Sequence, residues 1–111
     1  MGEVPMPTYA LLADAAAEMG QVPPDSILSK AIEGVSGSRT VLFGFAPGQE
    51  LSEHTSAKHA QLFFVRGHAT ITLGEDIHTV GPGAWVDMPP HLPHSIRAGD
   101  EQVVMLLVML N

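Results

Sequence analysis

The chain has no cysteine among its 111 residues, which excludes disulfide staples and thiolate metal sites and leaves the redox compartment open. Charge is scarce too. Asp, Glu, Lys and Arg make up 15% of the residues, with 5 basic against 12 acidic side chains and a net charge of −7. Nucleic acid and anionic membrane surfaces both need basic patches, so neither is an expected partner. No run approaches the roughly 20 apolar residues that span a bilayer. The opening stretch, Met1 to Met19, lacks a basic start and is interrupted by Pro5, Pro7, Asp14 and Glu18, unlike a signal peptide. A cytoplasmic location is the expectation. What remains is an apolar body: 45% of the residues are hydrophobic, enough at this length for one domain with its own core.

Residues 9–19 carry strong helix formers and end at Gly20, with Pro23-Pro24 closing the segment; the pattern predicts a short N-terminal helix. From Ser26 onward the pattern changes to short apolar runs at 27–32, 40–46, 62–65, 69–73, 78–80, 84–88, 95–98 and 103–110. Gly, Pro and Asp clusters separate them, among them Pro47-Gly48, Gly81-Pro82-Gly83 and Pro89-Pro90. Short strands with such turns read as an all-β antiparallel sandwich or barrel. Residues 1–37 then form the N-terminal helix and a leading strand, and residues 38–111 the barrel, within a single domain. Two runs, Leu62 to Val65 and Val103 to Leu110, are apolar without alternation. Neither face of such strands can be left to water. One face fills the barrel; the other is covered by a second subunit in a homodimer or by the N-terminal helix and the loop after it.

Two histidine-bearing segments hold the chemistry. The first runs from Gly48 through His54 and Ser56 to Gly67; the second contains Gly83, Pro89, His91 and His94. If His54 faces the interior of a strand pair, strict alternation puts Ser52 and Ser56 there with it, and His94 takes Ile96 and Ala98. Neutral imidazoles suit zinc, copper, iron, nickel or manganese. His54 and His94 are the first pair of candidate metal ligands. His59 or Gln61 could join them if the chain bulges by one residue before the strand, since a one-residue slip flips the face. A metal-free barrel, with the two histidines held by hydrogen bonds or an organic anion, is the alternative. No Ser-His-Asp order, P-loop or dinucleotide glycine fingerprint is present.

The spacing of these segments resembles the paired signature of the cupin family. Gly48, five residues and His54, then Gly67, match the first motif, with Ser56 at its second histidine and Ala60 at its acidic ligand. Gly83, Pro89 and His94 match the second, with His91 at its usual glycine and Ala98 at its final asparagine. Fifteen residues separate Gly67 from Gly83, the compact spacing of small single-domain members. The resemblance implies a double-stranded β-helix or jelly-roll barrel with Ala60, Leu62 and Phe64 pointing inward. It further implies a divalent first-row transition metal (Zn, Fe, Mn or Ni) and a small-molecule ligand between the histidines, with Ser56, Leu62, Phe64, His91 and Ile96 lining the ligand site. Many such proteins are metal-dependent dioxygenases, isomerases or lyases; others bind or sense small molecules without catalysis.

Overall fold

The computed structural model describes residues 8–35 and 37–110. Among these described residues one helix, α1 (Ala15–Met19), precedes nine strands: β1 (Ile27–Ile32), β2 (Arg39–Phe45), β3 (Glu50–His54), β4 (His59–Arg66), β5 (Ala69–Leu73), β6 (Asp76–Val80), β7 (Trp85–Met88), β8 (His94–Ala98) and β9 (Val103–Leu110). They form two antiparallel sheets, ordered β1-β2-β9-β4-β7 and β3-β8-β5-β6. This is the expected jelly-roll barrel with a short helix. None of the described helices is long and apolar enough to cross a membrane.

The eight apolar runs all fall on strands, and the ninth strand, β3, has only Leu51 as an apolar residue in Glu-Leu-Ser-Glu-His. It is an edge strand paired to β8 alone, so four of its five side chains are exposed and hydropathy does not mark it.

The helix is shorter than the composition predicts. Asp14 takes extended backbone angles (φ −148°, ψ 96°) and its carboxylate accepts from the Ala17 N–H, so α1 starts only at Ala15. A cap satisfies an otherwise orphaned donor and thereby fixes the helix start. Residues 9–13 carry good helix formers but bury no stripe: Tyr9 and Leu11 are exposed, and isolated turns without tertiary packing are marginal.

The main core lies between the sheets, around Phe45, Leu62, Phe64, Ile71, Ile96 and Met105. A second cluster sits on the outer face of the five-stranded sheet, where Met19 and Val22 pack on Leu42, Ala46 and Val104. Glycine makes this docking possible. A Cβ at Gly44 would stand 2.6 Å from Met19 Cγ. Gln102, buried in the β8–β9 connection, ties the segment down: its Oε1 accepts from the Val22 N–H at 2.9 Å, and its Nε2 donates to the Gly20 carbonyl at 2.7 Å. The N-terminal segment thus covers one end of the outer face that the apolar strands require to be covered. At the other end, near β7, Phe63 and Trp85 stay exposed.

Candidate functional site

His54 ends β3 and His94 begins β8, and the two are register partners. The local pairing is irregular. Leu51 opposes Ile96 while His54 opposes His94, so three steps on β3 match two on β8. Such a bulge inserts one unpaired residue and resets the alternation. Leu51, which packs against the main core, and His54 therefore share the inner side, with Ser52 and Glu53 between them exposed. Strict alternation would have placed Ser52 inward with His54; the extra residue overturns that expectation.

The imidazoles of His54 and His94 lie against one another at a tilt of 58°, with ring centroids 4.2 Å apart. Each ring is held in the same way. His54 Nδ1 lies 2.8 Å from the Ser52 carbonyl, and His94 Nδ1 lies 2.8 Å from the Leu92 carbonyl. A carbonyl only accepts, so both Nδ1 atoms carry a proton, and a neutral ring in either place would present its lone pair at Nε2. His94 is buried and His54 exposed, which puts the pair at the mouth of the barrel. Burial lowers the pKa of His94; the neighbouring His54 lowers it further, and the Leu92 carbonyl partly opposes this. At neutral pH His94 is an uncharged hydrogen-bond acceptor.

His59 and Gln61 do not join this pair. β4 runs in unbroken register with β7 and β9 from Ala60 to Phe63, and its irregularity falls between Phe64 and Arg66. With no slip at the start of the strand, Ala60, Leu62 and Phe64 point inward and are buried, while His59 and Gln61 stay on the outer face. There both bond to Asp87 Oδ1, His59 Nε2 at 2.5 Å and Gln61 Nε2 at 3.3 Å. The His59 hydrogen bond holds the Asp87 carboxyl below its ordinary value, against an opposing effect of desolvation, and Gln61 assists. Among the described residues, no group of three His, Asp or Glu side chains is disposed to hold a metal ion.

The other expected site residues fall in two places. Leu62, Phe64 and Ile96 are on the inner face but only 1–2% exposed, so they pack the barrel beneath the histidines. Ser56 and His91 join the loops beside them: the His91 N–H donates to the Ser56 carbonyl at 2.7 Å, and Ser56 Oγ accepts from the Lys58 N–H at 3.1 Å.

Residues 41–109 match the profile of the Cupin domain family. The chain belongs to the cupin family. Solved structures agree on the fold. A cupin superfamily protein from Desulfitobacterium hafniense is 24% identical with a TM-score of 0.76, covering 99% of this chain and 93% of its own. A conserved Streptococcus pyogenes protein of unknown function is 27% identical with a TM-score of 0.78, at 100% and 96% coverage. A cupin 2 conserved barrel domain protein from Leptotrichia buccalis is 22% identical with a TM-score of 0.76, and the match covers 86% of this chain and 46% of that one. No curated protein matches the chain.

The position of His91 in this cupin has a backbone explanation. Its φ is +68°, in the left-handed region where a Cβ is strained, which accounts for glycine as the usual residue there. The sequence offered no signal for the β3 bulge, nor for the bonding of Gln102 to a segment 80 residues away.

Proposed function

We propose that this cupin binds, at the mouth of its barrel, a small organic molecule bearing hydroxyl or N–H donors, received by the Nε2 atoms of His54 and His94 without a resident metal. The donor set carries this reading. Two neighbouring imidazoles commit their Nδ1 protons to backbone carbonyls, which leaves Nε2 as the acceptor of each neutral ring, and among the described residues no carboxylate or third histidine completes a metal-binding group. A catalytic zinc centre takes three protein ligands, and a non-haem iron site takes two histidines and a carboxylate. His54 and His94 alone fall short of both. The burial of His94 supports an acceptor role, because it favours the neutral ring.

A second reading rests on the same fixed tautomers. A divalent first-row metal (zinc, iron, manganese or nickel) would use Nε2 of both rings and take its remaining ligands from a chelating small molecule. When bound, such a metal would polarise that molecule as a Lewis acid, and dioxygenase, isomerase or lyase chemistry would follow from that arrangement.

Calorimetry on protein made without a histidine tag separates the two. The first reading expects saturable binding of a small hydroxy acid or polyol in the presence of a chelator, lost in both His54→Ala and His94→Ala. One metal per chain retained through gel filtration, lost in both variants and required for ligand binding, would replace it with the second reading. Metal-dependent turnover would make the protein an enzyme.

A further inference from the structure

The outer face of the five-stranded sheet is stepped. Register runs one row of side chains across it, Lys30, Leu42, Leu106, Phe63 and Trp85, and a second row of Ile32, Thr40, Val108, Gln61 and Asp87. Over β1, β2 and the start of β9 the N-terminal segment forms a ridge, because Met19 and Val22 pack on Leu42, Ala46 and Val104 with Leu28 and Ile32 beside them. In the flank of this ridge Leu11 and Leu12, with Ile32 and Thr40, border a hollow of about 360 Å³. Towards β7 the face drops to a trough, where Phe63 and Trp85 are exposed and Val108 and Leu110 are half-buried.

Exposed apolar bulk concentrates on this face. Of the six large apolar side chains exposed among the described residues, Tyr9 and Leu11 belong to the ridge segment and Phe63 and Trp85 to the trough. The Asp87 carboxylate in the trough is held by His59 and Gln61, so two chains of net charge −7 meet with little repulsion along it. The outer surfaces of β9, β4 and β7 give the trough a plan of about 300 Å². That is well below the ~800 Å² each partner contributes to a standard interface. An occupant of the trough alone, such as residues 1–7 of the same chain, would leave Tyr9 and Leu11 uncovered. A second copy engages both levels.

The strand order supplies the symmetry. β9 is the middle strand of the five. A two-fold axis lying in the interface along β9 therefore sets β7 of one chain opposite β1 of the other. It keeps the strands aligned, as face-to-face sheets require, and seats each ridge in the partner's trough. Contacts across such an axis are reciprocal.

We propose that the chain pairs with a second copy of itself through this face. Tyr9 and Leu11 of each ridge pack against the partner's Phe63 and Trp85, the indole facing the hollow beside Leu11 and Leu12. Lys30 comes opposite the partner's Asp87. The interface lies on the outside of the barrel and is independent of the His54/His94 reading.

Trp85 is the only tryptophan of the chain, so quenching of its emission by acrylamide reports on the trough. The parent should sediment as a dimer at micromolar concentration, and dilution should raise the quenching. Leu11→Glu and Trp85→Lys each replace an exposed side chain, so circular dichroism should show the fold retained. Each should weaken association about a hundredfold or more, because a two-fold pair carries the lesion at both of its contacts. Mixed in equal amounts, the two variants should associate again: the mixed pair gathers both lesions, of opposite charge, in one contact and leaves the other native. Ile77→Lys, exposed on the four-stranded sheet, should leave the dimer intact, and so should removal of residues 2–7. A monomeric parent, undiminished association of either interface variant, no recovery on mixing, or loss of the dimer in Ile77→Lys or the truncated chain would each overturn the proposal. A monomeric parent whose Trp85 quenching rises on truncation would seat residues 1–7 in the trough instead.

Discussion

His94 packs against His54 with ring centroids 4.2 Å apart, and the two differ sharply in exposure: His94 is 6% exposed, whereas His54 faces solvent. The contact therefore places one ring that resists protonation against one that meets water.

That contrast predicts a pH dependence of stability. Burial lowers the pKa of His94 in the folded chain, so over the window below the ordinary histidine value of about 6.5 the unfolded state binds more protons. Stability should be unaffected by His94 at pH 8 and should decline as the pH falls through about 6.5 towards the lowered folded value. His94→Asn keeps a donor for the Leu92 carbonyl but does not titrate. Urea midpoints at pH 8, 6.5 and 5 should fall more steeply in the parent than in this variant. Parallel curves would show that His94 protonates as readily in the fold as in the open chain.

His91 carries strain that its family position usually avoids. Its φ of +68° disfavours any residue with a Cβ, and its N–H is already committed to the Ser56 carbonyl, so a glycine there keeps the contact and loses the strain. His91→Gly should stabilise the fold by up to about 1 kcal/mol, the strain relief being partly offset by the greater freedom of glycine in the unfolded chain. His91→Val should destabilise it, since β-branching makes positive φ worse. Denaturation midpoints of the two variants should lie on opposite sides of the parent.

The barrel was legible because its punctuation is chemical. Glycines and prolines mark the turns, and runs such as Val103 to Leu110 have no polar face to offer water. The site is harder to read because its register changes without a chemical marker. Ser52 and Glu53 look like any alternating pair, yet the bulge beside them puts Leu51 and His54 on one side. The converse holds at His59 and Gln61. A bulge there was the condition for their reaching the histidine pair, but the continuous ladders to β7 and β9 hold both residues on the outside. Helix length failed for a related reason: propensity counts Ala and Leu, whereas the start was decided by one Asp14 carboxylate.

Gly67 should be intolerant of any side chain. Its φ is +77°, and a Cβ would collide with the backbone carbonyl oxygen of Gln102, which cannot rotate away as a side chain can. Gly67→Ala therefore combines positive-φ strain with a backbone displacement at the start of β9, and a loss of about 3 kcal/mol or more is expected. Gly48→Ala is the control. Gly48 also has positive φ, at +75°, but nothing stands within 4 Å of a Cβ there, so its cost should be limited to about 1 kcal/mol. Comparable thermal shifts in the two variants would mean that the Gln102 carbonyl is not a fixed obstacle.

Gln102 should matter for the N-terminal segment more than for the barrel. Its amide satisfies the Val22 N–H and the Gly20 carbonyl, beside a contact in which Met19 and Val22 bury the outer face of the sheet. Gln102→Leu preserves volume but leaves a buried N–H without its acceptor, and a cost of about 1–3 kcal/mol is expected. Because the bonds end on residues 20 and 22, that cost can be met by releasing the segment instead of unfolding the sheets. Hydrogen exchange should accelerate at Met19 and Val22 in this variant, while Leu62 and Met105, which belong to the core between the sheets, keep their protection. Uniform acceleration at all four positions would place Gln102 in the global unfolding unit and show that the N-terminal segment does not open separately.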